Sequence, residues 1–325
     1  MKNFRTAVPV IGWDATQEEW LEARQTGLGG SDVTSALGMS RYRSPYEVWR
    51  ERCDENYVVD TAVPSEAAAL GHALEPWLVE QAAQVLDVRV HQTPDRSYGH
   101  VEHTWRRCSP DAVTVDGRLV ECKTAGIAAG FGTPPGWGPG ELPLAYELQV
   151  RWSMHVMDAR AAEVIALVAN KGLIRRTVQR DLVLEAELVH QVSQWWKTHV
   201  EGKTKPAMGA EDNDLLKQLF PTPTKKTIDL SGTDADVAWE RYLAAREREK
   251  DAKKDKEHYG ARLKQLLGEY EKAQLDGMTI ATWAGKKGNV DWKRLIDDLR
   301  ASGVEVPNPE QYRKADSRSL DVKGA

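Results

Sequence analysis

Apolar residues recur at helical spacing along much of the chain and predict helices over 17–24, 45–52, 65–86, 144–157 and 183–200. In the third of these, Leu70, Leu74 and Leu78 follow the helical repeat, and Pro76 is expected to kink or restart the helix. Ser31 and Asp32 follow a glycine-rich turn and are typical N-cap residues, so they predict a short helix over 33–37.

Strand patterns separate these helices. Residues 163–169 predict a buried strand and 173–180 a more exposed one, while apolar residues on both sides of Asp116-Gly117 predict a β-hairpin. Residues 126–143 contain six glycines and four prolines, which indicates a loop without regular structure. This order of elements predicts an α/β core over 1–220.

A linker rich in Pro and Thr, 221–227, separates the core from a charged helical extension over 221–325 that ends in a small strand-and-helix cap. Residues 235–275 are highly charged and are predicted to be helical, and within them residues 245–258 are almost devoid of apolar side chains. That stretch is expected either to lie in solvent or to contact a charged partner.

Composition excludes several classes of protein. The 325 residues are 41% hydrophobic, enough for one large core or two domains. No apolar run approaches the ~20 residues that span a bilayer, so no membrane association is expected. Three cysteines cannot form a disulfide framework, which predicts a soluble, reduced, intracellular protein.

The acidic surplus is unevenly distributed. The formal net charge is −5, and residues 1–220 hold 23 Lys and Arg against 30 Asp and Glu. Residues 221–325 hold 21 against 19. This balance argues weakly against a surface that binds nucleic acid all over, and leaves local basic residues as the phosphate contacts. The candidates are Arg24, Arg41, Arg43 and Lys123.

The strongest chemical signal is the segment SPDAVTVDGRLVECKT, residues 109–124. Side chains alternate along a strand, so Glu121 and Lys123 share a face. A three-residue loop with Gly117 in the left-handed region would place Asp111 opposite Glu121, and we predict this bulged register. A two-residue loop would place Ala112 there instead. Two carboxylates beside an ammonium group suit metal-assisted hydrolysis of a phosphodiester.

Alone, this spacing is a weak pattern that an ordinary surface hairpin would also produce. Two neighbours strengthen it. Glu75 lies in a mostly apolar helix, where an acid is unexpected without a partner, and Gln149 lies on the helix that follows the glycine-rich loop.

Four blocks in order resemble the YqaJ-type viral recombinases, the lambda-exonuclease-like branch of the PD-(D/E)xK nucleases. They are GLGGSDVTSALGMSRYRSPYEVWRER (27–52), ALGHALEPWLVEQ (69–81), the SPD…ECK hairpin and YELQVRWSMHVM (146–157). The resemblance covers about residues 24–170. It implies a restriction-endonuclease-like core, with a central mixed β-sheet flanked by helices.

The resemblance also implies roles for matching residues. Two Mg²⁺ or Mn²⁺ ions would be ligated by the backbone carbonyl of Cys122 and by three carboxylates, those of Glu75, Asp111 and Glu121. Lys123 would position the nucleophilic water, and Gln149 would support the lysine or the scissile phosphate. A terminal 5′-phosphate would be held by Arg24, Ser31 and Ser109, with Gly29 standing where relatives can carry a hydroxyl donor.

The implied activity is that of a phage DNA exonuclease in the cytoplasm of a bacterial host. It would degrade one strand of linear duplex DNA from the 5′ end and leave a 3′ single strand for recombination by annealing. A ring-shaped homo-oligomer and a single-strand annealing protein as partner are implied in the same way. Two alternatives stay open: an endonuclease with the same core, and a DNA-end binding module without turnover.

Trp137 lies inside the glycine- and proline-rich loop, close in sequence to the hairpin. It is either a packing anchor or an aromatic wedge that stacks on a DNA base, because stacking on an aromatic ring tolerates any base sequence.

Overall fold

The structure is a computed structural model that describes residues 6–40, 42–55, 57, 66–126, 135–169, 171–224, 226–304, 306–308 and 311. The chain divides into two compact units between Asp214 and Leu215, a few residues before the predicted linker.

The first unit contains most of the strands. Its elements in chain order are β1 (Ala7–Ile11), α1 (Gln17–Gln25), α2 (Gly30–Ala36), α3 (Pro45–Cys53), α4 (Glu66–Leu86), β2 (Val90–His91), β3 (Ser97–His100), β4 (Arg107–Cys108), β5 (Ala112–Thr114), β6 (Leu119–Ala125), α5 (Leu144–Met157), β7 (Ala161–Val168), β8 (Gly172–Gln179) and α6 (Leu182–Trp195). A π-helical turn, Trp196–Glu201, and a 3₁₀ turn, Ala210–Asp212, follow. The next helix, α7 (Asn213–Leu219), crosses the division between the units.

A five-stranded sheet in the order β2-β5-β6-β7-β8 forms the centre of this unit. It is mixed, because β6 and β7 are parallel whereas the other neighbours are antiparallel. The parallel pair is joined by the glycine-rich loop and α5. A separate antiparallel sheet has the order β1-β3-β4.

Helices pack on both faces of the central sheet. Leu78 and Ala82 of α4 share a buried cluster with Val120 and Cys122 of β6. Because side chains alternate, Leu119 belongs to the other cluster, which α5 helps to form, and Glu121 and Lys123 point to that same side. The predicted α/β class, a mixed sheet flanked by helices with a helical C-terminal extension, is confirmed.

The predicted helices are present, with two differences in detail. The short helix begins at Gly30, so the predicted N-cap at Ser31 and Asp32 is wrong. Asp32 lies inside the first turn and its carboxylate accepts the Gly29 N–H at 3.0 Å. The other difference is at Pro76, where α4 continues without a restart.

The second unit contains α8 (Ala235–Leu267), β9 (Lys272–Leu275), β10 (Met278–Thr282) and α9 (Trp292–Ala301). Most of α8 is exposed, and β9 pairs with β10 as an antiparallel hairpin. The predicted helix over 235–275 thus ends at Leu267, and its last residues form β9 instead. None of the helices in the described ranges has the length and apolar character needed to cross a membrane.

Candidate active site

The β5–β6 hairpin adopts the predicted bulged register. Ala112 pairs with Val120 and Val113 with Leu119, which places Asp111 across from Glu121. The Thr114 N–H donates to the Arg118 carbonyl at 2.9 Å, and Gly117 has a φ of 84°. Only a left-handed residue closes this loop, and glycine adopts that conformation without a steric penalty.

This register brings Asp111, Glu121 and Lys123 together, and with Glu75 of α4 they form what we call the acidic centre. The Lys123 ammonium lies 2.5 Å from Oε1 of Glu121, and the Gln149 side-chain amide donates to the same oxygen at 2.5 Å. The backbone N–H of Cys122 donates to Oδ2 of Asp111 at 2.6 Å. The hairpin and α5 therefore join Lys123 and Gln149 to Glu121 by hydrogen bonds, and the hairpin backbone holds Asp111 beside them.

Helix α4 supplies Glu75. This residue precedes Leu78 and Ala82 on the helical stripe that packs on the sheet, and its charge contributes to a raised pKa at Asp111. Gly71, one turn earlier, brings the helix so close to β6 that a Cβ there would lie 3.5 Å from Oγ1 of Thr124. Glu75 thus approaches the acidic centre from a third element.

The electrostatics of the centre are dominated by crowded carboxylates. Burial and the negative charge of Glu121 raise the pKa of Asp111 well above its usual value, against the opposing effect of Lys123. Burial disfavours the charged form of Lys123, but Glu121 and Asp111 outweigh it and raise the pKa of that ammonium. Lys123 is therefore a protonated donor at neutral pH. Its single positive charge does not balance the negative charges of the carboxylates, so the centre favours an added cation.

The donor set suits a hard divalent cation. Carboxylate and carbonyl oxygens are the ligands that Mg²⁺ prefers. The N–H and C=O of one strand residue point to the same side, so the Cys122 carbonyl is directed towards the side of Asp111. Within the described ranges, no three His, Cys, Asp or Glu side chains already stand at metal-binding distances. Glu121 instead accepts from Lys123 and Gln149.

A polar cavity of about 130 Å³, here called the end cavity, adjoins the acidic centre. All three residues predicted to hold a 5′-phosphate line it, namely Arg24, Ser31 and Ser109. Gln149 lines it as well. Gly30 permits this approach, because a Cβ there would lie 2.8 Å from Cγ of Gln149.

Sequence reasoning missed two groups at the end cavity. Arg107 lines it and is anchored by its hydrogen bond to Thr26 at 2.7 Å. Asp32 also lines it and pairs with three arginines, Arg24, Arg43 and Arg52. For Asp32 the only signal in the sequence was its position shortly after Gly29 and Gly30, and this position fits a helix cap equally well. Of the predicted basic track, Arg41 lies outside the described residues.

A wider cavity of about 710 Å³, the groove, lies beside the end cavity. Ser31 and Gln149 line both cavities. The groove is lined largely by apolar side chains, among them Met39, Leu70 and Tyr146, and by Arg43.

Trp137 is a buried residue. Its side chain is only 2% exposed and packs against Tyr146, with ring centroids 5.8 Å apart. These contacts favour the packing alternative, while Trp137 also lines the wider groove, so the DNA wedge at Trp137 stays a prediction.

Comparison with known proteins shows what this chain is similar to. Residues 19–160 match the model of the YqaJ-like viral recombinase domain. The chain is 23% identical over 321 residues to the uncharacterized protein YqaJ of Bacillus subtilis (strain 168), covering 97% of this chain and 98% of that protein.

Among solved structures, the alkaline exonuclease LHK-Exo from Laribacter hongkongensis aligns with a TM-score of 0.45 and 19% identity, over 63% of this chain and 100% of that one. A phage related exonuclease from Haemophilus somnus 129PT aligns with a TM-score of 0.37 and 12% identity, over 55% and 96%. The match to the family model over residues 19–160 confirms the resemblance that the four sequence blocks indicate.

Proposed function

We propose that this protein is a Mg²⁺- or Mn²⁺-dependent exonuclease that digests linear duplex DNA from its 5′ ends. The product would be a 3′ single strand, the substrate for recombination by annealing. The family of the 19–160 domain supports a role in recombination. The arrangement of the acidic centre and the end cavity supports the chemistry.

One observation carries the proposal. Gln149 lines the end cavity and donates to Glu121 at 2.5 Å, so a single side chain joins the anion-sized cavity to the carboxylates. A terminal phosphate in the end cavity would place a phosphodiester close to the acidic centre. Cleavage near an end, rather than at any internal position, follows from this proximity.

The protein's own groups divide the chemistry. Lys123, held by Glu121, is protonated and donates hydrogen bonds to the attacking water or to the phosphate. Asp111, Glu121, Glu75 and the Cys122 carbonyl would hold two divalent ions. Bound there, the ions would supply Lewis-acid stabilisation of the charge that develops on the phosphate. Arg24, Ser31 and Ser109 would hold the terminal 5′-phosphate through an arginine donor and two hydroxyls.

Assembly forms a second part of the proposal. A ring of several copies would keep the duplex threaded, and an annealing protein would take over the emerging single strand. The charged unit that contains α8 is the candidate surface for either contact. Mass photometry with and without duplex DNA tests the ring, because a chain that stays a monomer at working concentration contradicts it.

Digestion of matched DNA forms tests the activity. Linear duplex and the same plasmid as a covalently closed circle are incubated with the protein in Mg²⁺, with EDTA and Asp111→Ala as controls. We expect loss of the linear form alone, and only in Mg²⁺ with the unaltered protein. Equal cutting of closed circles would indicate an endonuclease. Binding to ends without release of nucleotides would indicate a recruitment module.

A further inference from the structure

Asp32 accepts more hydrogen bonds than a helix cap requires. Its side chain is buried, with 2% of the residue exposed. Oδ1 accepts from Arg24 at 3.2 Å and from Arg43 at 2.5 Å. Oδ2 accepts from Arg52 at 2.7 Å and from the Gly29 N–H at 3.0 Å. The Gly29 bond alone would satisfy the helix start, so the three arginines need a separate explanation.

The arginines differ in their exposure to solvent. The Arg52 side chain is 1% exposed and also donates to the Gly27 and Val48 carbonyls, so it anchors Asp32 to the surrounding backbone. The Arg24 side chain is 36% exposed and lines the end cavity. Asp32 therefore connects one arginine fixed in the protein interior to another that faces the cavity.

A second contact restrains Arg24. Its guanidinium lies 5.0 Å from the centre of the Trp20 ring, and Trp20 also lines the end cavity. A long arginine side chain that must be ordered on binding loses rotamer entropy. Contacts to Asp32 and Trp20 would remove most of that loss before an anion arrives. The described hydrogen bond of Arg24 uses Nη2, and a guanidinium carries further donors.

We propose that Asp32 is a positioning residue, which holds the Arg24 guanidinium in the end cavity so that it recognises a terminal 5′-phosphate. The assignment rests on the proposed function, because it presumes that the end cavity binds that phosphate. Asp32 acts through Arg24 and does not touch DNA itself. Its negative charge opposes anion binding, so positioning and plain electrostatics predict opposite results when that charge is removed.

Kinetics on two matched substrates distinguish these effects. One duplex carries a 5′-phosphate and the other a 5′-hydroxyl, and the ratio of their kcat/KM values measures phosphate recognition. We expect Asp32→Asn to lower this ratio about tenfold through a higher KM for the phosphorylated end, the scale of one charge-assisted hydrogen bond. A purely structural role would lower activity on both substrates equally and leave the ratio unchanged.

Glu51→Gln is the matched control. Glu51 pairs with Arg43 and Arg52, each at 3.1 Å, and its loss changes the net charge of the cluster by the same amount. Because Glu51 has no such pairing with Arg24, the ratio should stay within about twofold of that of the unaltered protein, well below the effect of a lost charged hydrogen bond. A ratio that is unchanged or higher in Asp32→Asn overturns the assignment, as does an equal fall in both variants.

Arg24→Lys gives a second test if Asp32→Asn does not fold, because the Arg24 side chain is 36% exposed and a lysine there keeps the charge. A lysine retains the charge but lacks the planar fork that a carboxylate and a phosphate can share. We expect the ratio to fall, and a retained ratio contradicts the positioning role. A ratio near one in the unaltered protein would instead overturn the proposed end recognition, and this assignment with it.

Discussion

Glu121 and Glu163 lie on adjacent strands of the central sheet, and both are buried, yet their surroundings differ. Glu163 on β7 is fully buried and accepts hydrogen bonds from Arg118, Arg175 and Thr177. Glu121 on β6 faces the opposite side of the sheet, because Val120 and not Glu121 pairs with Glu163. There Glu121 shares one ammonium, that of Lys123, with Asp111.

The difference separates a structural ion network from the proposed catalytic one. Two guanidiniums compensate the Glu163 carboxylate, so this group has no remaining demand for a cation. In the acidic centre the carboxylates outnumber the cations among the described contacts, and burial together with Glu121 raises the pKa of Asp111. Crowded, under-compensated carboxylates mark sites where an added cation binds and where titration is shifted.

The largest expected effect is at Asp111. Replacement by alanine removes a proposed metal ligand and the acceptor of the Cys122 N–H, so activity should fall by roughly 10³-fold or more, as for other essential catalytic groups. Nucleotide release from linear duplex measures the rate, and calorimetry with Mg²⁺ measures binding. Both should be lost together. Cleavage at the original rate would disprove the role of the acidic centre.

Lys123→Ala should cost roughly 10²-fold in rate, the usual contribution of one proton-donating group. Metal binding should persist, since the carboxylates remain. Lys205→Ala removes a similar charge, from an ammonium that lies over the Trp49 ring, and should leave the rate unchanged. Loss of Mg²⁺ binding in Lys123→Ala would show that the lysine organises the ligands rather than the reaction.

Glu163→Gln should affect stability but not catalysis. Two arginines lose their shared carboxylate, but 21% and 41% of their side chains is exposed and water compensates in part. We expect the free energy of unfolding in urea to fall by about 2 kcal/mol. Activity per folded molecule should match that of the unaltered protein. A loss of activity per folded molecule would place Glu163 in the proposed active site, and the contrast between Glu163 and Glu121 would no longer hold.

The smallest expected effect is a gain in thermal stability, in the variant Asp111→Asn. The pKa of Asp111 is higher in the folded protein than in the unfolded chain, so ionisation of this carboxyl lowers the free energy of unfolding. This penalty develops as pH rises from the unfolded pKa through the folded pKa. Asp111→Asn removes the penalty. At pH 8 without divalent ions its Tm should be roughly 2–4 °C higher, the shift that about 1 kcal/mol gives in a domain of this size.

That advantage should shrink as pH falls through the unfolded pKa and vanish below about pH 3, where the carboxyl is protonated in both states, and Mg²⁺ should raise the Tm of the unaltered protein only. A variant less stable than the original at pH 8 would contradict the raised pKa.

Local patterns predicted the hairpin and the placement of its charged side chains. Asp116-Gly117 set a turn whose geometry decides the register, and strand alternation then placed Glu121 and Lys123 on one face. The helix predicted over 144–157 matches α5 at both ends because its apolar repeat is regular and a proline precedes it. Signals of this kind depend on residues close in sequence.

Contacts between residues that are distant in the sequence could not be predicted from the local spacing of apolar and polar residues. The pairing of Asp32 with Arg52 joins two helices, and nothing in the local sequence of either residue indicates the other. Trp137 lies in a loop without periodicity, so its burial depends on packing against α5 and could not be inferred from spacing. The same holds for Arg107 in the end cavity.

The most direct test of the central claim is the polarity of digestion. Linear duplex with a 5′-phosphate is labelled at either the 5′ or the 3′ terminus of one strand, and early products are resolved in Mg²⁺. We expect immediate release of short 5′-labelled products, dependent on Asp111, while the 3′ label stays in long single strands. Immediate release of the 3′ label, or fragments of random length from both substrates, would contradict it.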